Sequence, residues 1–316
     1  MLFDSTLALF ATITTAIVLE AAPFLLLGCL LSAAFEVYAP ADGLERWLPR
    51  SALGQTLAGC FAGILLPTCE CGVVPLVRRL LAKGVPQRTA LAFLLAAPVA
   101  NPVVLASTWV AFRGDLPLTI GRVVCVLIPA VIIAMVYGRL PAHKLLRGGV
   151  DLNAAVGSCS VAGCGCGHEH AERPKGFFAG LRAVLTGAGV EFLHMGAFLI
   201  AGAMAAAAIK TFMPADWLHS MAAAPVIAIG SMMLLAVLLS VCSEADAFVA
   251  ASFVSFPAAA RLSFVGLGPM VDLKLIPLFF AVFSRRLALA LCLIPIVSVF
   301  FTALAFHALF GPGVGL

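Results

Sequence analysis

The chain has 316 residues, of which 63% are hydrophobic and only 11% are charged, and its formal net charge is +4. Soluble domains carry about 25% charged residues, so this composition excludes an ordinary soluble protein. Several stretches exceed the roughly 20 apolar residues that span a bilayer, and none alternates as a membrane β-strand does. Because lipid leaves a spanning chain only helices or closed barrels, the sequence predicts an all-α polytopic membrane protein.

Apolar segments and a polar linker divide the chain into two membrane halves. Hydropathy predicts about eight transmembrane segments, near residues 6–38, 52–81, 88–112, 117–139, 179–209, 221–255, 262–283 and 287–310. The polar stretch between the fourth and fifth segments predicts three regions: a first membrane repeat over 1–140, a linker over 141–175 and a second membrane repeat over 176–316.

The two halves share a set of landmarks. Four of them recur in the same order at a spacing of 166 to 173 residues: Glu20 and Glu191, Cys69 and Cys242, Asn101 and Asp272, Pro129 and Pro295. Such recurrence is typical of secondary transporters built from a duplicated unit. We therefore expect two repeated four-segment halves, with helices broken at the motifs.

Two topologies fit these segments. If all eight cross the bilayer, the positive-inside rule places both termini and the linker in the cytosol. If 52–81 and 221–255 are re-entrant instead, each half crosses three times, the halves are inverted and the N-terminus lies outside. The linker is expected in the cytosol in both cases, because the basic residues lie on its side.

Each half carries a thiol and carboxylates inside an apolar segment. The first motif is Pro67-Thr68-Cys69-Glu70-Cys71-Gly72 and the second is Val241-Cys242-Ser243-Glu244-Ala245-Asp246. An ionised group at the bilayer centre costs at least ~2.5 kcal/mol, so a group kept there is a candidate for function. Proline and glycine disfavour a regular helix around the first motif, and an unwound stretch lets both of its thiols face one ion.

These motifs predict a transport site. Thiolates suit thiophilic ions, and transporters build substrate sites where paired repeats have broken helices near the midplane. The predicted site contains Cys69, Glu70, Cys71, Asn101, Cys242, Ser243, Glu244, Asp246 and Asp272. Since metals and protons compete for the same deprotonated ligands, three carboxylates are candidates for proton coupling: Glu20, Glu191 and Asp246.

The linker holds a second group of soft ligands. Five donors fall within twelve residues and are spaced by glycines: Cys159, Cys164, Cys166, His168 and His170. Thiolate and imidazole suit Zn(II), and thiolate suits Cu(I). The spacing is not that of a zinc finger, so we expect a flexible ion-binding tether rather than a small domain.

The motifs resemble those of a known family. Thr68-Cys69-Glu70-Cys71-Gly72-Val73-Val74-Pro75-Leu76, Ala96-Ala97-Pro98-Val99-Ala100-Asn101-Pro102 and Cys242-Ser243-Glu244-Ala245-Asp246-Ala247-Phe248 are similar to motifs of the predicted-permease superfamily that includes organoarsenical efflux permeases. The Cys/His-rich linker resembles the branch regarded as copper/zinc efflux transporters. The resemblance implies an exporter with eight segments in a bacterial inner membrane.

Together these observations predict a secondary efflux transporter, not an enzyme, for a thiophilic ion such as Zn(II) or Cu(I). No tightly bound cofactor is expected, and Zn(II) or Cu(I) would be the transported or linker-bound ion. Expected partners are that ion, the lipid bilayer and copies of the same chain in a homo-oligomer, but no nucleic acid. Two alternatives stay open: a permease for arsenite or trivalent organoarsenicals, and a membrane thiol oxidoreductase cycling Cys69 and Cys71.

Overall fold

The computed structural model describes residues 2–38, 48–65, 68, 70–82, 84–147, 177–212 and 225–311. Within these ranges the chain forms helices and turns with no strand, apart from one isolated bridge between Leu146 and Phe283. The predicted fold class, an all-α polytopic membrane protein, is confirmed. The linker from 148 to 176 lies outside the described residues, and the linker residues before it fold as a short turn of helix that ends at this bridge.

The helices follow the predicted segments. The first half contains α1 (Leu2–Tyr38), α2 (Ala52–Leu65), α3 (Glu70–Ala82), α4 (Gln87–Ala100), α5 (Pro102–Ala111), α6 (Leu116–Tyr137) and α7 (Ala142–Leu145). The second contains α8 (Phe177–Phe212), α9 (Pro225–Leu239), α10 (Asp246–Ser252), α11 (Ala258–Leu267), α12 (Leu275–Val282) and α13 (Arg285–Phe310). By length and composition, four described spans could cross a membrane: Gln87–Ala111, Leu116–Tyr137, Gly180–Met204 and Arg285–Phe310.

In the first half, α2 and α3 form a hairpin. The Thr89 hydroxyl donates to the Gln55 carbonyl at 3.0 Å, and an added Cβ on Gly63 would lie 2.8 Å from the Ala97 nitrogen. Residue numbers therefore rise together along α2 and α4, so these helices are parallel. Since α3 lies between them in the chain and is joined to each by four residues, it runs back in the opposite direction.

The second half repeats this arrangement. The Ser263 hydroxyl donates to the Ile229 carbonyl at 3.3 Å, and the Leu273 N–H donates to the Val237 carbonyl at 3.4 Å. The chain separation between Ser263 and Ile229 is 34 residues, the same as between Thr89 and Gln55. Helices α9 and α11 are therefore parallel as well, and the shorter α10 returns between them.

The hairpin arms are too short to cross a bilayer. Helix α2 has 14 residues and α3 has 13. At 1.5 Å per residue each arm is ~20 Å long, whereas the hydrocarbon core is ~30 Å thick. We infer that segments 52–81 and 221–255 are re-entrant, which selects the second of the two topologies left open by the sequence.

Corresponding helices of the two halves run antiparallel. The Tyr38 hydroxyl at the end of α1 lies against Gly180 near the start of α8, while Ile17 packs with Ala203 further along. Helix α6 meets α13 in the same way. Gly121 of α6 lies against Phe306 of α13, and Cys125 of α6 and Val299 of α13 both lie against Gly266 of α11, so residue numbers rise along α6 as they fall along α13. The halves are therefore inverted relative to each other, as in many secondary transporters.

Glycines bring the long helices onto the hairpins. An added Cβ on Gly28 of α1 would collide with the backbone of Gly72 in the first turn of α3. In the other half, Gly202 of α8 brings that helix onto the break before α12 instead, because an added Cβ would lie 2.7 Å from the Lys274 Cα. Small residues at such crossings let membrane helices approach closely. The close approach therefore requires a glycine at position 28, and it falls at Gly72 of the first motif.

The re-entrant topology predicts which loops share a membrane face. We expect Arg50→Cys and Gln87→Cys, at the two ends of the first hairpin, to react with a membrane-impermeant maleimide from the same face. Leu116→Cys, at the start of α6, should react from the opposite face. Peptide mapping after labelling of sealed vesicles measures this and separates these sites from native cysteines. Labelling of Arg50→Cys and Leu116→Cys from one face, with Gln87→Cys on the other, would show that the segment crosses.

Candidate functional site

Buried polar side chains meet where the hairpin tips and the helix breaks lie. The hydrogen bonds and ion pairs given below join them into one continuous network. Its members are Glu70, Thr108 and Arg122 from the first half and Ser243, Asp246, Asp272 and Lys274 from the second, all at most 2% exposed. We refer to these seven residues as the inter-repeat network. Four of them were predicted as transport-site residues: Glu70, Ser243, Asp246 and Asp272.

A hydrogen bond between the two motifs lies at the centre of the network. Ser243 Oγ donates to Glu70 Oε2 at 3.3 Å. These residues are 173 apart, the same spacing as Cys69 and Cys242, so each is the other's counterpart in the duplicated unit. A contact between counterparts occurs where the approximate two-fold axis passes. The cysteine motifs of the two halves therefore meet at this axis.

Lys274 connects Glu70 to Asp272. Its Nζ atom lies 3.3 Å from Glu70 Oε1 and 3.3 Å from Asp272 Oδ2, and all three side chains are buried. Glu70 lies in the first turn of α3, and Asp272 precedes α12. The partial positive charge of a helix N-terminus stabilises a carboxylate, so both are suited to carry the negative charge that Lys274 neutralises.

Arg122 joins the other end of the network. Its Nη1 and Nη2 atoms donate to the two oxygens of Asp246 at 2.8 and 2.7 Å, a bidentate ion pair. Nη1 also donates to Thr108 Oγ1 at 2.7 Å, and Nη2 donates to the Ser243 carbonyl at 3.2 Å. The guanidinium thus holds the turn of the second motif against α5 and α6. Asp246, a predicted proton-coupling residue, is engaged in this pair.

Asn101 and Asp272 cap equivalent helix breaks. Asn101 Oδ1 accepts from the Val104 N–H at 2.9 Å, and Asp272 Oδ1 accepts from the Leu275 N–H at 2.7 Å. The Asn101 amide also donates to the Ala97 carbonyl at 3.2 Å, so both ends of that side chain bind backbone. The observed geometry gives Asn101 a structural role at the break between α4 and α5.

The network carries a small excess of negative charge. Its three carboxylates, Glu70, Asp246 and Asp272, face two cations, Arg122 and Lys274, so the formal balance is −3 + 2 = −1. Charges buried out of water are tolerated only when they are paired and hydrogen-bonded. The arrangement is therefore suited to accept additional positive charge, but each carboxylate already has a cationic partner.

The thiols flank this network in the chain. Cys242 is buried and directly precedes Ser243. Cys69 and the side chain of Cys71 lie outside the described residues, on either side of Glu70. Thr68 is 4% exposed, and its hydroxyl oxygen has no hydrogen-bond partner among the described residues. In the part of the chain that the structure describes, no group of three or more His, Cys, Asp or Glu residues is placed to hold a metal ion.

The remaining predicted residues are Glu244 and several that lie outside the described residues. Glu244 is half-buried in the turn between α9 and α10. The side chains of Glu20 and Glu191 lie outside the described residues, although both positions fall within α1 and α8. The whole Cys/His set of the linker also lies outside: Cys159, Cys164, Cys166, His168 and His170.

Sequence reasoning missed the two cations. Arg122 is the sole charged residue of α6, and Lys274 lies two positions after Asp272 in an otherwise apolar segment. A buried carboxylate needs a cationic partner, so each isolated cation in a predicted span was a signal. The positive-inside rule treats basic residues only as markers of topology, so it does not identify them as pairing partners.

Inverted repeats, re-entrant hairpins and a buried polar site at their junction define a polytopic membrane protein of the transporter class. Residues 6–308 match the model of a family described as predicted permeases, and the chain belongs to that family.

Two curated relatives cover most of the chain. One, from Streptococcus mutans, is named a putative two-component membrane permease complex subunit and is 37% identical over 82% of this chain and 81% of its own length. The other, UPF0718 protein YcgR from Bacillus subtilis, is 33% identical over 87% of this chain and 89% of its own length. No solved structure matches the chain.

The Arg122–Asp246 pair predicts a strong energetic coupling. Either Arg122→Met or Asp246→Leu leaves one buried charge unpaired, and we expect each to destabilise the protein by about 3–5 kcal/mol. The double variant removes both charges and should be clearly more stable than the sum of the two losses implies. Thermal unfolding in detergent, with exposed Arg139→Met as control, measures the cycle. Additive losses would contradict a direct pair.

Proposed function

We propose that this permease is a secondary efflux transporter for a thiophilic metal ion, with Zn(II) or Cu(I) as substrate. The observation that carries the proposal is the Ser243–Glu70 hydrogen bond, because it brings together the motifs that contain Cys69, Cys71 and Cys242. Thiolates from both repeats would then be available to one ion at the two-fold axis. Thiolates suit both candidate metals.

The thiols, rather than the carboxylates, would supply the metal ligands. Each network carboxylate is already paired with Lys274 or Arg122. The thiols are next to Glu70 and Ser243 in the chain, and they are not members of these ion pairs. Cys69, Cys71 and Cys242 would bind the ion. Glu70 would contribute negative charge between the first two thiols.

Inverted repeats provide the means of transport. Alternating access arises when one repeat rocks or gates against the other around a fixed site. Here the Ser243–Glu70 hydrogen bond and the Arg122–Asp246 pair both join residues of opposite halves. Movement between the halves would therefore change the surroundings of the bound ion from one membrane face to the other.

The distribution of basic residues supports an orientation. The face that contains Tyr38, Gly180 and the Leu146–Phe283 bridge also carries most described cations outside the network: Arg50, Arg78, Arg79, Arg88, Arg139, Lys144, Arg147, Arg182, Arg285 and Arg286. By the positive-inside rule this face is cytosolic, in a bacterial inner membrane. The Cys/His-rich linker would then bind the ion in the cytosol before export.

Proton exchange through Glu20, Glu191 or Asp246 remains a prediction, and a flux independent of pH would contradict it. Permeation of arsenite or trivalent organoarsenicals is the nearer alternative, because these species also prefer thiols. A membrane thiol oxidoreductase is the more distant alternative. The name of the Streptococcus mutans relative, a permease subunit, favours transport over it.

Ion uptake into inside-out vesicles tests the proposal. We expect purified protein in these vesicles to accumulate Zn(II) or Cu(I). Cys69→Ser/Cys71→Ser and Cys242→Ser should each reduce uptake by at least about tenfold, since each removes a soft ligand of the ion. Cys292→Ser, a half-buried thiol on α13, is the matched control and should transport normally.

Three results would contradict the proposal. Accumulation of As(III) alone would assign the protein to the arsenical alternative. Equal uptake by the motif variants and Cys292→Ser would remove the thiols from the path. A Cys69–Cys71 disulfide formed during turnover, with no ion flux, would support the oxidoreductase.

A further inference from the structure

The two cations of the inter-repeat network are held differently. Arg122 binds both oxygens of Asp246 at 2.7 and 2.8 Å, whereas the Lys274 ammonium donates to one oxygen of Glu70 at 3.3 Å and lies 3.3 Å from Asp272 Oδ2 as an ion pair without a hydrogen bond. A guanidinium is a planar fork that fixes its partner, while an ammonium is a compact charge on a flexible stem. The ammonium therefore fixes its two partners less strictly than the guanidinium fixes Asp246.

The backbone of Lys274 is held by contacts that do not involve its ammonium. Asp272 Oδ1 accepts from the Lys274 N–H at 2.9 Å, and α8 rests on the Lys274 Cα through Gly202. The cap and the Lys274 ammonium use different oxygens of Asp272. A change of partner by the ammonium thus requires no rearrangement of the helix break.

The first repeat caps the equivalent helix break without this ion pair. At the repeat spacing of 171 residues, Asn101 corresponds to Asp272 and Val103 corresponds to Lys274. Asn101 caps its helix with an amide oxygen in the same way as Asp272. Val103 is 54% exposed and uncharged. The second half alone adds an acid and a base to a cap that is complete without them, which indicates a role other than building the break.

We propose that Lys274 is an internal counter-cation of the transport site. It holds Glu70 and Asp272 when no metal is bound, and it gives up Glu70, staying on Asp272, when a substrate cation binds beside the thiols. This inference rests on the function proposed above. When no metal is bound, Lys274 neutralises the charge of Glu70. The unloaded transporter therefore changes conformation without an additional unpaired carboxylate in its site. Substrate and lysine compete for Glu70, and this competition makes release of the ion possible.

Metal binding to purified, full-length variants tests the competition. We would titrate Zn(II), or Cu(I) if vesicles accumulate that ion, against a chromophoric chelator. Lys274→Met should lower the Kd at least about tenfold, because the metal no longer displaces an ammonium from Glu70. The exposed Lys144→Met is the matched control and should bind like wild type.

A double variant separates displacement from overall charge. Lys274→Met/Asp272→Asn has the same formal charge as wild type but no displaceable cation, and Asn101 shows that asparagine can cap such a break. We expect this variant also to bind the metal more tightly than wild type, and it decides the question if the single variant does not fold. If the double variant binds the metal with wild-type affinity, the tighter binding of Lys274→Met is due to its overall charge alone. That result would overturn the proposal.

The two proposals fail in different ways. Unchanged or weaker binding by Lys274→Met, with binding still lost in Cys69→Ser/Cys71→Ser, would overturn the role of Lys274 and leave metal transport standing. Identical binding by wild type and Cys69→Ser/Cys71→Ser would overturn the proposed transport site, and the role of Lys274 would fall with it.

Discussion

The fold depends on burying three carboxylates at the junction of two membrane halves. Out of water each of them needs a cationic partner, and the structure supplies Arg122 for Asp246 and Lys274 for Glu70 and Asp272. Arg122 and Asp246 come from different halves, as do Lys274 and Glu70. The requirement for charge compensation therefore also determines how the halves meet, and it places helix breaks and hairpin tips in one buried site.

Duplication gives this site its geometry, and sequence divergence gives it its chemistry. The two-fold arrangement brings counterparts together, so that Ser243 of one repeat donates to Glu70 of the other. The caps at Asn101 and Asp272 preserve the common backbone, whereas the charges at Asp272 and Lys274 occur in one repeat only. A symmetric scaffold thus holds an asymmetric set of charges, which is the basis of the role proposed for Lys274.

Hydropathy and repetition were sufficient to predict the helical class and the eight segments. The sequence did not decide whether the second and sixth segments cross the bilayer or are re-entrant, because an apolar segment of about 30 residues is compatible with one long crossing or with two short arms. The tertiary contacts at Gly63 and Ser263 decided it. Motif reasoning identified the acids of the site but not Arg122 and Lys274, because pairing partners 124 and 204 residues apart leave no local pattern.

The central claim is that the junction of the repeats is a transport site open to each face in turn. The most direct test follows the reaction of Cys242 with a membrane-impermeant maleimide, added to either face of proteoliposomes and located by peptide mapping. The account predicts labelling from both faces, slowed by Zn(II) or Cu(I) in wild type but not in Cys69→Ser/Cys71→Ser. Labelling from one face only, with no effect of either ion, would contradict it.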